Sequence, residues 1–155
     1  MPQLPDHPCI GPGPKRPIHA SPRGAATGKP LILVVEDDWR ALRFICTVLK
    51  YSTDALVIAS SRPGHALWMS RSLERPIDLL IMGIELEDPA NGIGLARKIA
   101  AGHPSMGVLL MSGRNPPPDL PSAWRFLSIP FPTAAFLDCV SHFCGCGDSV
   151  PGTRR

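Results

Sequence analysis

Three carboxylates in a row, Glu36-Asp37-Asp38, stand directly after the wholly apolar run Leu31-Ile32-Leu33-Val34-Val35. Neighbouring carboxylates at the end of a buried segment either stay wet, share a proton or hold a divalent cation, because two like charges ~4 Å apart repel by ~4 kcal/mol at an intermediate effective dielectric. A second acidic group, Glu85, Glu87 and Asp88, follows the apolar run Leu79-Leu80-Ile81-Met82, but the residue at the junction is Gly83, which has no side chain to contribute. Ser112 closes a third run, Val108-Leu109-Leu110-Met111, and offers a hydroxyl. Cys139, His142, Cys144 and Cys146 are donor types that zinc favours, yet no second cysteine pair accompanies them, so they read as small buried or frayed thiols. His65 and His103 have no serine or carboxylate at a spacing that would mark a catalytic triad.

These groups need elements to hold them. The apolar runs are short and rich in β-branched residues, as in strands covered on both faces, and they fall at 31–35, 55–59, 78–84, 108–111 and 126–129. Between them the apolar period changes to that of helices. Asp38 can cap a helix whose inner face is Trp39, Leu42, Ile45 or Cys46, and Leu49. Pro63 can start a second, which ends before Pro76; Gly92 to Ala101, closed by Gly102, suits a third; and Ala134 to Cys144, capped by Thr133, suits a last. The stretch 114–123 holds four prolines, so a helix there must be short or distorted. Five strands alternating with about five helices predict an α/β fold, a doubly wound parallel (βα)5 sheet, because parallel neighbours need a crossover. Ligands of such sheets lie at the carboxyl ends of the strands, which here carry Glu36, Asp37, Gly83, Ser112 and Ile129.

Length and charge bound the rest. A chain of 155 residues with 44% hydrophobic side chains supports one domain with a real core. The net charge of +3 does not mark a nucleic-acid surface: residues 1–29 carry four basic side chains against one acidic, Arg154 and Arg155 add two, and residues 30–148 hold ten basic against twelve acidic. No secretory leader and no run approaching ~20 apolar residues is present, so a membrane role is not expected and the sequence reads as cytoplasmic. Five cysteines without paired spacing suit reduced thiols. Residues 1–29, with seven prolines, read as a disordered tail, 30–146 as the folded domain and 147–155 as a second tail too short for an effector domain.

Taken in order, Leu-Val-Val-Glu36-Asp37-Asp38, Pro-Ile-Asp-Leu-Leu-Ile-Met-Gly83-Ile, Asn-Gly-Ile-Gly-Leu-Ala, Leu-Met-Ser112-Gly113 and Phe126-Leu-Ser-Ile129-Pro130-Phe131 resemble the receiver domain of two-component response regulators over residues 30–146. The resemblance implies a flavodoxin-like sheet of strand order 2-1-3-4-5, with Pro130 following a cis peptide bond. It also implies a chemistry: an aspartate at the third strand end accepts a phosphoryl group, Mg²⁺ bridges it to the acidic pair, and a lysine neutralises the remaining charge. A Ser or Thr hydroxyl, here at Ser112, and an aromatic, here Phe126, then follow the phosphoryl group.

This sequence departs from that pattern twice. The nucleophile position is Gly83 and the lysine position is Ile129, so the resemblance is to an atypical receiver that has lost one charge of each sign. Of the family's metal site it retains Glu36, Asp37 and the backbone carbonyl of Glu85, at most a weak Mg²⁺ site; no cofactor is required. The reading is a receiver-like protein of a two-component phosphorelay that performs no enzymatic turnover and acts by docking. The surface around the fourth helix, fifth strand and fifth helix, with Trp124 and Phe131, is the expected contact; Trp39 and Trp68 read as packing groups. A histidine kinase, phosphotransfer protein or other regulator is the expected partner, with a homodimer also open. The alternatives are a phosphotransfer-competent receiver using Glu85 or Asp88 with Mg²⁺, and a drifted paralogue without function.

Overall fold

The computed structural model describes residues 9–10, 28–86 and 92–144. Five parallel strands form the sheet: β1 (Leu31–Val35), β2 (Leu56–Ser60), β3 (Leu79–Gly83), β4 (Gly107–Ser112) and β5 (Arg125–Ser128). Their spatial order is 2-1-3-4-5, and a two-residue strand, Cys9–Ile10, pairs antiparallel with β5 at the outer edge. Four helices accompany them: α1 (Trp39–Ser52), α2 (Pro63–Ser72), α3 (Gly92–Gly102) and α4 (Thr133–Cys144). The fold is flavodoxin-like, as the resemblance implies. None of the helices among the described residues is long and apolar enough to cross a membrane.

Successive side chains of a strand point to opposite faces, so each apolar run feeds two cores. Leu33, Val35, Leu80, Met82, Val108, Leu110 and Phe126 enter one core with Ala66 of α2 and Leu95, Ala96 and Ile99 of α3. Ile32, Val34, Leu79, Ile81, Leu109, Met111 and Leu127 enter the other with Ile45 and Leu49 of α1 and Phe136 and Val140 of α4. Every residue of β1, β3 and the four residues Val108 to Met111 is buried, which is why these runs are continuous rather than alternating.

Polar side chains fasten the amino-terminal edge of the sheet. Asp78, itself buried, accepts the Leu31 N–H at 2.7 Å and lies 3.5 Å from the Arg75 guanidinium, while Arg75 donates to the Lys29 carbonyl. His103, after α3, accepts the Ile77 N–H at Nδ1 (3.1 Å), which leaves the ring proton on Nε2 to meet the Ser70 carbonyl at 2.8 Å. One neutral imidazole thereby ties the end of α2 to the approach to β3.

Helix count is where the structure differs from the sequence reading. Residues 113–124 contain no helix, so the described residues hold four helices and not about five. The prolines there lack the amide hydrogens a helix needs, and the ring of each clashes with the preceding turn. Trp124 fills the uncovered space instead: it is 9% exposed, packs in the α2/α3 core with Leu120 beside it, and has the Arg97 guanidinium of α3 5.8 Å from its ring centroid. Arg97 also donates to the Asp119 carbonyl at 3.3 Å. The expectation of Trp124 as a partner-facing residue is thus corrected. Phe131, the other expected contact, is half-buried and stacks on the fully buried Phe136 of α4 with centroids 5.5 Å apart.

The other two tryptophans reverse in the opposite sense. Trp39 is 62% and Trp68 63% exposed, so neither is the packing group expected. Trp39 is the first residue of α1, and helical side chains lean towards the amino terminus, so its ring projects past the layer that Leu42, Ile45 and Leu49 cover. Trp68 stacks on His65 at the surface of α2.

Because Trp124 is a core residue where no helix covers the sheet, Trp124→Ala is expected to lower unfolding free energy by about 3–5 kcal/mol in urea titration. A loss below about 1 kcal/mol would show that the ring is not part of the core.

Candidate functional site

The carboxyl ends of β1, β3, β4 and β5 converge as the sequence predicts. The register Val35↔Met82 brings Glu36 alongside Gly83, Gly83 pairs with Met111, and Ser112 pairs with Ser128. Backbone bonds continue the pairing beyond the strands, from the Ile84 N–H to the Met111 carbonyl (2.9 Å) and from the Ile129 N–H to the Ser112 carbonyl (2.8 Å). Ile129 and Pro130 are joined by a cis peptide bond, as expected.

Gly83 is not merely bare. A Cβ built on it would collide with the Glu36 carboxylate, so that carboxylate occupies the space where a side chain of residue 83 would begin. Glu36 is 7% exposed, and its Oε1 accepts the Asp38 N–H at 3.2 Å. Burial pushes its pKa up from 4.5 to about 7, with Asp37 and Asp38 adding to the rise and the Asp38 amide opposing it. Of the three ways to relieve an acidic pair without a lysine, the raised pKa is the one this geometry supports. Asp38 plays the capping role predicted, accepting the Arg40 N–H at 2.9 Å.

On the far side of Gly83 the chain passes close under α3. A Cβ on Gly92 would meet the Gly83 carbonyl oxygen at 2.5 Å and the Ile84 backbone at 2.9 Å, and the Gly92 N–H bonds the Ile84 carbonyl at 3.2 Å. Only glycine lets the helix start this near the strand end. Glu87, Asp88 and Asn91 lie outside the described residues.

Ser112 is almost wholly buried, and its hydroxyl donates to the Glu85 carboxylate; its oxygen also accepts the Arg114 N–H at 2.9 Å. The exposed Arg114 guanidinium stands 3.9 Å from the same carboxylate. The resemblance implies a switch hydroxyl at Ser112 and a metal-ligand carbonyl at Glu85; the structure joins the two side chains. A Ser 27 residues away in the chain gives no local signal of such a partner. Phe126 is fully buried in the α2/α3 core.

This donor set does not suit Mg²⁺. The ion demands near-octahedral oxygen, whereas the Glu36 carboxylate, one of the three donors, is turned over Gly83 and accepts the Asp38 N–H. Among the described residues no group of three or more His, Cys, Asp and Glu side chains is gathered to hold a metal. The cysteine group changes too: Cys139 is disulfide-bonded and fully buried, which corrects the reading of reduced thiols and removes it from any zinc set. Disulfide pairing depends on the approach of two Cβ atoms in space, which spacing along the chain does not report. Cys146 lies outside the described residues, while Cys46 carries a free thiol. His65 does find a serine: Ser60 Oγ lies 3.2 Å from its Nδ1, but that hydroxyl donates to the Arg62 carbonyl and so shapes the turn into α2.

Since the native state binds the Glu36 proton more tightly than the unfolded chain, the contribution of Glu36 to stability falls as pH rises from about 4.5 to about 7. Glu36→Gln is expected to remove that decline, on the order of 2 kcal/mol, so that the variant gains on the wild type across this window. Parallel stability profiles of the two proteins from pH 4 to 8 would refute the assignment. Millimolar Mg²⁺ is expected to leave the melting temperature and the emission of Trp39, which stands at the start of α1 beside the acidic triplet, unchanged. A saturable shift with Kd below about 1 mM would show a working metal site.

No protein-family model and no curated protein matches the chain by sequence. Solved structures do match by shape. The chemotaxis protein CheY4 of Vibrio cholerae, crystallised at low pH, is 13% identical with a TM-score of 0.65, over 75% of this chain and 99% of its own. A response regulator receiver protein of Sinorhizobium medicae is 24% identical with a TM-score of 0.65, over 77% and 98%. A receiver domain protein of Clostridium thermocellum is 19% identical with a TM-score of 0.63, over 75% and 94%. The strand order, the convergent strand ends and these likenesses agree: the chain has the receiver-domain fold of two-component response regulators.

Proposed function

We propose that this chain is a receiver-like protein of two-component signalling that works without phosphorylation, by docking to a signalling partner in the cytoplasm. The observation that carries the reading is the Glu36 carboxylate lying over Gly83, in the space from which a phosphoacceptor side chain would project. A glycine has no atom that can form an acyl phosphate, and the site is filled from the neighbouring strand rather than left open. Two further features agree. Ser112, the hydroxyl that would follow a phosphoryl group, already donates to the Glu85 carboxylate, and Phe126 is already packed inward. An internal carboxylate thus takes the part of the missing anion in holding the strand-end hydroxyl. Ile129, half-exposed where the family has its lysine, brings no charge to the site.

The reading names no catalytic residue and needs no cofactor. Its partner is a histidine kinase, a phosphotransfer protein or another regulator of such a pathway. Glu85 is a poor substitute acceptor, because its carboxylate is engaged by the Ser112 proton and has Arg114 beside it.

Incubation with acetyl phosphate and Mg²⁺ followed by intact-mass measurement is expected to show no phosphoryl adduct on the wild type. A stable adduct mapped to Glu85 or Asp88 would overturn the reading. The double substitution Gly83→Asp with Ile129→Lys is expected to restore labelling, with the Glu36 side chain swinging aside.

A further inference from the structure

The two edges of the sheet are finished differently. Outside β5 the segment Cys9–Ile10 adds an antiparallel strand, whereas β2, at the other edge, pairs only with β1 among the described residues. The Leu56 N–H bonds the Pro30 carbonyl at 2.8 Å and the Ser60 carbonyl accepts the Glu36 N–H at 3.2 Å, so Leu56, Ile58 and Ser60 turn their backbone groups towards β1. By the alternation of a strand, Val57 and Ala59 turn theirs to the open side. Such edges are ordinarily blunted by a charge, a proline or a bulge. Leu56-Val57-Ile58-Ala59-Ser60 has no charge and no proline, pairs with β1 residue for residue, and leaves Leu56 47% exposed. The charges stand just beyond the strand, with opposite signs at its two ends. Asp54 precedes it and Arg62 follows it; both are exposed, and neither side chain has an ion-pair partner among the described residues. The backbone is extended on both flanks, with φ −139° and ψ 163° at Thr53 and φ −123° and ψ 124° at Arg62.

We infer that β2 pairs antiparallel with β2 of a second copy of this chain, about a two-fold axis at Ile58, so that Asp54 of each copy meets Arg62 of the other. Residues that face each other across this axis lie equally far from Ile58 on either side: Val57 faces Ala59, Leu56 faces Ser60 and Asp54 faces Arg62. Val57 and Ala59, whose N–H and C=O groups point outward, then form the mutually hydrogen-bonded pairs, and the two Ile58 side chains fall in a non-hydrogen-bonded pair, where approach is closest. Charge decides the register. An axis at Val57 sets Asp54 opposite Ser60, and one at Ala59 sets Arg62 opposite Leu56, so neither matches the two charges. Parallel pairing in register sets like charges side by side. An extended segment of another protein fits the same backbone groups, whereas a second copy brings both charges by symmetry. The inference goes beyond the signalling function proposed above and holds whether or not the strand-end site accepts a phosphoryl group.

The test is sedimentation equilibrium of the full chain from micromolar to submillimolar concentration, with hydrogen exchange measured on the same samples. Expected is a monomer–dimer equilibrium in which protection of the Val57 and Ala59 amides grows with concentration. Asp54→Arg and Arg62→Asp each oppose like charges at both symmetry-related contacts, and each is expected to weaken the dimer about tenfold with unchanged circular dichroism. An equal mixture of the two variants is expected to associate as the wild type does, because every charge then meets its opposite on the other copy. A chain that stays monomeric throughout, a dimer indifferent to both substitutions, or a mixture that associates no better than either variant alone overturns the inference. So does protection of Val57 and Ala59 that is independent of concentration, which would show another segment of the same chain covering the edge.

Discussion

The structure of the strand-end site depends on one steric fact: the Glu36 carboxylate and a Cβ on residue 83 cannot occupy the same place. With glycine there, the carboxylate can fold inward, leave water and accept the Asp38 amide. Burial then pushes its pKa up to about 7, so that near neutral pH part of the carboxylate carries a proton and the repulsion from Asp37 is reduced. The isoleucine at residue 129 is consistent with this solution, since a site relieved by a proton has no use for an ammonium group. The two departures from the receiver pattern, Gly83 and Ile129, thus meet at one strand-end site.

A second consequence spreads from the same edge. Glu85, two residues past Gly83, is drawn to Ser112 at the end of β4, and Arg114 closes over it. The connection that follows Arg114 has too many prolines for a helix, and Trp124 with Arg97 covers the sheet in its place. The face used for docking in the sequence-based expectation is consequently built around a core tryptophan and a stacked phenylalanine. The exposed aromatic residues lie on α1 and α2 instead, at Trp39, Phe44, Tyr51 and Trp68.

The strands were legible because burial on both faces leaves no choice of residue: Leu31 to Val35 and Leu79 to Met82 could be little else. The same is true of the Asp38 cap, the Pro63 start and the glycines around α3, where local backbone geometry selects the residue type. Gly83 and Ile129 were legible as losses, since a missing functional group needs no coordinates to be missed. What local pattern could not rank was the burial of the three tryptophans, because helical periodicity gives a face but not the point at which a helix runs beyond the sheet. Trp39 sits at that point and Trp124 sits where a helix is absent.

By itself, then, the sequence determined the parallel sheet, the acidic pair at its edge and a third strand that ends in a glycine, all of which follow from residue type and short-range order. Tertiary structure alone decided where the surviving polar groups turned. Glu36 lies 47 residues from Gly83 and Ser112 lies 27 from Glu85, and side chains so far apart in the chain meet only through the register of neighbouring strands. The same holds for the disulfide at Cys139 and for His103 bridging Ile77 and Ser70. Partners of this kind are set by packing across the sheet, a constraint that acts on distance in space and leaves no period in the sequence.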